Sequence, residues 1–385
     1  MADHYDFVVL HINEYFGLLP ERNIRIEKGN AEKNTVEYSA KIRIPVLLAV
    51  WDELFSFYVK FRRNNLIDGV GKYVSSWRKK YIERLVADLF RNNFNDKIDA
   101  FYCVDGQIEA YLLQCAARAL NKPYVVGEHA PVPWPGTLIS DVNKQAIEKA
   151  DLFLAISHDK IRQMMLQNIR LPETVYIGNM VDERFFTQNQ KEKTEDKTLL
   201  IVAAHSFYKN YEMFIDVMNR LTEITEKPFR VMIVGYGSNK GYSKDTEKFE
   251  EQIRKCVFAD RTRLIPEVPH DQMNEIYHEA DAFVMTSIQE GQPVSAMEAA
   301  CCGLPIFSTR CGGVEDYVDD LIGRIYDVND CEGMAQGLKS YLEGDIVFEP
   351  RIIREKVVKR FGTETFINNF YGVFDRLVEN KEYEA

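Results

Sequence analysis

Short apolar runs alternate with longer amphipathic stretches along most of the chain, and the rhythm changes once, near residue 98. Before that point residues 7–12 (FVVLHI), 24–26 and 36–44 read as extended segments, and helical periodicity covers 45–59 and 70–92. After it, apolar runs of strand length recur at 98–104, 123–126, 149–157, 199–204, 229–234, 262–265, 282–285, 304–308 and 323–326. Helical patterns separate many of them, at 108–119, 211–225, 249–256, 273–280, 294–302, 314–318, 334–342, 351–361 and 366–379. Strands that alternate with helices predict parallel sheets. The polar run 188–198 (QNQKEKTEDKT) reads as a structureless connection, and the domain boundary is expected near Gly178.

A chain of 385 residues suits two domains, each able to bury its own core. With 46% hydrophobic and 28% charged residues the composition is that of a soluble globular protein. Apolar runs fall far short of the roughly 20 residues that span a bilayer. The opening MADHYD lacks the basic and apolar parts of a secretory signal. Seven cysteines, an odd number with no CxxC pair, read as reduced thiols in a cytoplasm and give no zinc site. The net charge of −11 argues against nucleic acid as the general partner. Residues 57–84 run against that average. Lys60, Arg62, Arg63, Lys72, Arg78, Lys79, Lys80 and Arg84 face only Asp68 and Glu83, with aromatic residues interleaved. Such a face either rests peripherally on an anionic membrane or is a solvated helix surface whose aromatics fill the core.

One stretch, residues 282–313, carries the candidate chemistry. It reads as strand, loop, helix and strand, with Pro293 in the first turn of the helix, where a missing N–H leaves no bond unmade. The N–H groups of Val294 and Ser295 would then point out of the helix end and form an anion site. Glu290 in the loop and Glu298 on the helix stand eight positions apart. Carboxylates bind hydroxyls and not phosphates, so a ligand carrying both phosphates and hydroxyls fits. A nucleotide sugar is such a ligand, with one glutamate on the sugar and the other on the ribose.

The same stretch resembles glycosyltransferase family 4, retaining enzymes of the GT-B fold, whose motif is two glutamates separated by seven residues. Glu290, Gly291, Pro293, Glu298, Ala299, Gly303, Leu304, Pro305, Gly312 and Gly313 fall in register with it. Gln292 departs from it, since the family often has an aromatic there. The resemblance implies an α/β architecture of two Rossmann-like domains with parallel sheets facing a cleft, and a C-terminal helix crossing back to the first domain. The expected division is 1–178, 179–362 and 363–385.

Other phrases extend the resemblance over about residues 98–380. Gly127-Glu128-His129 at a strand end is similar to the family's T-E-H, with glycine in place of threonine, which would put His129 on the donor sugar. Ile177, Asn179, Val181, Asp182 and Phe186 match the phrase leading into the second domain. Lys209 fits the family lysine on the donor diphosphate. The arginine that normally precedes it is missing, and Ala204 or His205 holds its place, with His205 a partial substitute. Gly235-Tyr236-Gly237 looks like the family's glycine loop. The opening at 7–12 resembles the second strand of the family, so the first strand, glycine loop and helix are either lost or lie outside this sequence.

The implied activity is transfer of a hexose-type sugar, with retention, from a nucleoside diphosphate sugar to a glycan or lipid-linked acceptor in polysaccharide or glycoconjugate synthesis. His129, Lys209 and Glu290 would act on the reacting groups. His205, Gly235, Gly237, Gly291, Gln292, Pro293, Val294, Ser295 and Glu298 would hold the donor. No Asp-x-Asp stands at a strand end, so neither metal nor other cofactor is expected. The alternatives are a nucleotide-sugar binder without turnover and a sugar-nucleotide epimerase of the same fold.

Overall fold

The computed structural model describes residues 7–17, 24–32, 35–45, 76–95, 98–129, 139–188, 196–237 and 244–382, with side chains from Lys80 onward. The chain divides into two compact units. One holds Met1–Ala155, Ile161–Tyr176 and Phe370–Ala385, the other Ile156–Lys160 and Ile177–Asn369.

In the first unit, β1 (Phe7–Gly17), β2 (Ile24–Glu32) and β3 (Thr35–Pro45) form a sheet of order β1-β3-β2. The expectation of purely parallel sheets fails here, because β2 and β3 pair antiparallel. Only residues 33–34 separate them, and a parallel crossover needs about a dozen residues. The predicted helix at 45–59 and most of the basic stretch 57–84 lie outside the described residues. From residue 76 the second predicted helix is present as α1 (Ser76–Phe94).

A four-stranded parallel sheet follows: β4 (Phe101–Cys103), β5 (Tyr124–Glu128), β6 (Leu152–Ala155) and β7 (Thr174–Tyr176), in chain order. Its helices are α2 (Gly106–Leu120), α3 (Asp141–Glu148) and α4 (His158–Leu166). Residues of β5 and β6 are buried on both faces, as parallel strands between helix layers must be.

The second unit is built on a six-stranded parallel sheet. Its strands are β8 (Lys197–Val202), β9 (Phe229–Val234), β10 (Thr262–Ile265), β11 (Ala282–Met285), β12 (Ile306–Thr309) and β13 (Gly323–Tyr326). The order is β10-β9-β8-β11-β12-β13. The sheet therefore winds outward in both directions from β8 and β11. The loops that leave the carboxyl ends of those two strands part to opposite sides, which is where open α/β sheets leave room for a ligand.

Helices α5 (Tyr211–Ile224), α6 (Lys244–Arg254), α7 (Met273–Glu279), α8 (Val294–Cys301), α9 (Cys331–Glu343) and α10 (Pro350–Phe361) cover it. Residues 314–318, expected as a short helix, hold only a 3-10 turn, Val314–Asp316. The last helix, α11 (Thr363–Glu382), begins in the second unit, and its residues from Phe370 onward belong to the first. There Phe370 and Phe374 pack edge-on against Tyr102, with ring centroids 5.5 and 6.0 Å away.

Candidate active site

The switch point between β8 and β11 brings together residues 81 positions apart in sequence. The chain leaving β8 makes a 3-10 turn, Phe207–Lys209, and closes on Asn210 in the left-handed region. Asn210 then caps α5, its side chain accepting from the Met213 N–H. The loop leaving β11 is fastened to that turn. Thr286 Oγ1 donates to the carbonyls of Lys209 and Asn210, and the Ile288 N–H donates to Tyr208 O at 2.7 Å.

With both loops fixed, Lys209 Nζ donates to Glu290 Oε1 at 2.6 Å. Ser287 Oγ donates to the same oxygen at 2.7 Å. Ser287 is buried, and its carbonyl accepts from Thr309 Oγ1. A polar chain from β12 thus stands behind Glu290. The ion pair is accessible, with side-chain exposures of 29% for Lys209 and 13% for Glu290, so a ligand can reach it.

The Gly312–Gly313 turn supports the loop from behind. Both residues have positive φ, 93° and 71°, and a side chain on Gly313 would collide with the Gly291 carbonyl. The Glu290 N–H donates to Cys311 O at 2.7 Å. Glycine is needed in the turn because the Glu290–Gln292 backbone lies against it.

Helix α8 begins at Val294, as expected, but Pro293 stands outside its first turn. Pro293, with φ −72° and ψ 109°, is its N-cap and not part of its first turn, and its carbonyl accepts from the Met297 N–H. No side chain caps this end, and Val294 is 43% exposed. The first N–H groups, including those of Val294 and Ser295, therefore have no side-chain cap, and helix ends of this kind can bind anions. The body of the helix, Ala296 to Cys301, is buried, and its small side chains let it lie close to the sheet.

Glu298 stands on the same helix in a different setting. It is almost wholly buried, and Tyr277 Oη donates to its Oε2 at 2.7 Å and to Ser295 O at 3.2 Å. His270 Nε2 lies 3.6 Å from Oε1. Burial raises the carboxyl pKa above the ordinary 4.5, and the Tyr277 and His270 contacts only partly offset this. Burial, together with the Glu298 charge, drives the Tyr277 hydroxyl well above 10, so it stays a donor.

The remaining predicted site residues are placed differently. Gln292 is buried against the segment that follows the first unit's last strand: its side-chain oxygen accepts the Asn179 N–H, and its carbonyl accepts Asn179 Nδ2 at 3.0 Å. The N–H groups of Gly235 and Gly237 are engaged by the carbonyls of Ile265 and Pro266, tying this loop to the end of β10. His205, expected to replace the missing arginine, packs its ring against Tyr211 and Phe249 at 5.5 and 4.9 Å.

His129 lies in the first unit, just past β5, with Nε2 3.4 Å from Tyr102 Oη. Neighbouring Glu128 is fully buried and accepts the Gln107 N–H at 2.9 Å. Gly127 sits in tight surroundings: a Cβ there would lie 2.8 Å from Tyr102 Oη. Among the described residues no cluster of His, Cys, Asp and Glu could hold a metal ion, and no helix is long and apolar enough to cross a membrane.

Sequence reasoning missed Ser287, Tyr277 and His270. Ser287 is legible in principle, three residues before Glu290 in the same loop. Tyr277, on α7, and His270, on the 3-10 turn before it, precede Glu298 by 21 and 28 positions and meet it only in the fold.

Comparison with known proteins shows what the chain is similar to. Residues 182–360 match the family model described as Glycosyl transferases group 1. Among curated proteins, N-acetyl-alpha-D-glucosaminyl L-malate synthase of Bacillus anthracis is 22% identical over 247 residues, 61% of this chain and 62% of that protein. Lipopolysaccharide 1,6-galactosyltransferase of Escherichia coli K12 is 26% identical over 259 residues, 65% of this chain and 67% of that protein. Three phosphatidylinositol N-acetylglucosaminyltransferase subunits, from Arabidopsis thaliana, Schizosaccharomyces pombe and Homo sapiens, are 22–26% identical, and the matched segment spans only 35–58% of their length.

Among solved structures, the apo form of the lipopolysaccharide outer core galactosyltransferase WaaB superposes with a TM-score of 0.63 at 19% identity, covering 78% of this chain and 81% of that one. Anabaena Alr3699/HepE in complex with UDP-glucose gives a TM-score of 0.60 at 16% identity, covering 78% and 82%. The fold is thus of the GT-B class, and residues 182–360, which carry Lys209, Glu290, the tip of α8 and Glu298, are the part of the chain that matches the Glycosyl transferases group 1 model.

Proposed function

We propose that this protein is a retaining glycosyltransferase of family 4, moving a hexose-type sugar from a nucleoside diphosphate sugar to a glycan or lipid-linked acceptor in polysaccharide or glycoconjugate synthesis, without a metal ion. The observation that carries the reading is the accessible Lys209–Glu290 pair at the β8/β11 switch point, in the same loop that leads to the uncapped tip of α8.

Charge develops on the departing diphosphate in such a reaction, so fixed donors aimed at it lower the barrier. Lys209 supplies a cation, and the Val294 and Ser295 N–H groups supply oriented dipoles. Glu290, held by Ser287, accepts from hydroxyls of the sugar, and Glu298 accepts from the ribose. Donor arrival draws Lys209 toward phosphate and leaves Glu290 to the sugar. The acceptor's proton goes to the departing phosphate, so no protein base is required. His129 is assigned to the donor sugar by the family resemblance.

The test is direct. The full chain is incubated with UDP-, GDP- and ADP-sugars, each with and without glycan and polyprenyl-linked acceptors. Nucleoside diphosphate release and product anomeric configuration are then followed by NMR. Acceptor-dependent release with retained configuration is expected. Tight donor binding with neither transfer nor hydrolysis would instead favour a binder, the reading that the missing arginine near Ala204 or His205 and the missing first glycine loop would allow. Isomerised donor without acceptor would indicate an epimerase.

A further inference from the structure

The surroundings of Glu298 contain more than a carboxylate needs in order to be held. Tyr277 already fixes Oε2 at 2.7 Å as a buried donor. Oε1 faces His270 Nε2 across 3.6 Å, too far for a direct hydrogen bond of ordinary length. The His270 side chain is 75% exposed, yet it is not left to swing freely. Phe185 stacks on its ring at 5.5 Å with planes 15° apart, and Phe186 meets it edge-on at 5.7 Å.

Those two phenylalanines are themselves anchored. Their N–H groups donate to Asp182 O, the Phe186 carbonyl accepts from Arg354 Nη1, and the Phe186 ring also packs on Tyr277. An exposed imidazole pinned on two sides, with its nitrogen held near but not on a buried carboxylate, is preorganised to share a third group with it. A hydroxyl fits. It can donate to Oε1 and accept from Nε2–H, standing about 2.8 Å from each.

We propose that His270 is a second ribose ligand: one hydroxyl of the ribose is shared between Glu298 Oε1 and His270 Nε2, so this pair selects ribonucleoside over deoxyribonucleoside diphosphates. The inference rests on the assignment of Glu298 to the ribose, and adds the residue that makes the recognition two-sided. A carboxylate alone accepts from any nearby donor. The imidazole adds a second hydrogen bond, which is lost when the hydroxyl is missing.

Isothermal titration of the full chain with UDP, GDP and ADP identifies the preferred base. The 2′-deoxy and 3′-deoxy forms of that nucleotide are then titrated into the wild type, His270→Ala and His270→Gln. In the wild type, removing one of the two hydroxyls should weaken binding by about tenfold, the loss of one good shared hydrogen-bonding partner. His270→Ala should weaken the ribonucleotide by a similar factor and change the matching deoxynucleotide by less than about twofold. His270→Gln, which keeps an N–H donor, should recover part of the loss.

Because His270 lies exposed on a short turn, His270–Gln272, unchanged thermal unfolding of both variants serves as the control. If His270→Ala weakens ribo and deoxy forms alike, or neither, or if the wild type does not discriminate, the inference is wrong while the donor reading stands. If the wild type binds none of the three ribonucleotides, the donor reading fails and this inference with it.

Discussion

The two glutamates at the ends of the motif occupy opposite environments although they lie within one loop and helix. Glu290 meets a lysine and a serine hydroxyl and is partly open to solvent. Glu298 is walled in by aromatic rings, takes a neutral hydroxyl donor on one oxygen and is hard to ionise. The difference teaches that shared residue type and fixed spacing do not mean shared work. A carboxylate paired with a cation is suited to the end of a ligand where charge moves. One surrounded by neutral donors is suited to a hydroxyl that must be recognised and left alone.

The sharpest way to break the contrast is at Lys209. Lys209→Ala should lower turnover by roughly 10²–10³, since it removes a charge from the leaving group and leaves Glu290 without its counterion. Steady-state release of nucleoside diphosphate measures it, and a loss under about threefold would place the leaving-group charge elsewhere. Next in size is Ser287→Ala, which frees one side of Glu290 without touching ligand. About a tenfold fall in kcat with little change in KM is expected, on the scale of one charge-assisted hydrogen bond.

At the other glutamate the effects should appear in stability. Tyr277→Phe strips the buried Oε2 of its donor and should cost about 1–3 kcal/mol in urea unfolding, because an unsatisfied buried acceptor carries its full desolvation penalty. Glu298→Gln should act in the opposite direction. The folded carboxyl titrates above 4.5, so the stability it contributes is fully present below that pH and is lost as pH rises through the folded value. The amide does not ionise. The variant should therefore melt higher than the wild type at neutral pH, the gap closing as pH falls toward 4.5, while nucleotide affinity falls.

Much of the second unit is legible because each strand of its sheet is a short apolar run closed by a polar or glycine-containing loop, the pattern parallel strands impose. Phe229–Val234 followed by Gly235 and Ala282–Met285 followed by Thr286 are examples. Helices α3 and α4 are not. They are eight and nine residues long, and α3 buries Asn143 among Val142, Ala146 and Ile147, so its apolar stripe is interrupted by an amide. Asn143 is there for hydrogen bonding, donating to Gln107 O and accepting the Tyr111 N–H.

Glu290 and Glu298 stand out in the sequence, but their partners do not. Lys209 meets Glu290 only because the sheet order sets β8 beside β11, and Tyr277 meets Glu298 only through tertiary packing. A linear pattern records which face of an element is buried; it does not record what lies opposite.

The seating of Gln292 matters to anyone who would edit the loop ahead of α8. Gln292 is the position at which the sequence departs from the pattern it otherwise resembles. Its amide oxygen, however, faces Asn179, one residue beyond Gly178, where an added Cβ would run into the Phe361 ring. Exchanging that glutamine would loosen the segment through which the polypeptide enters the second unit.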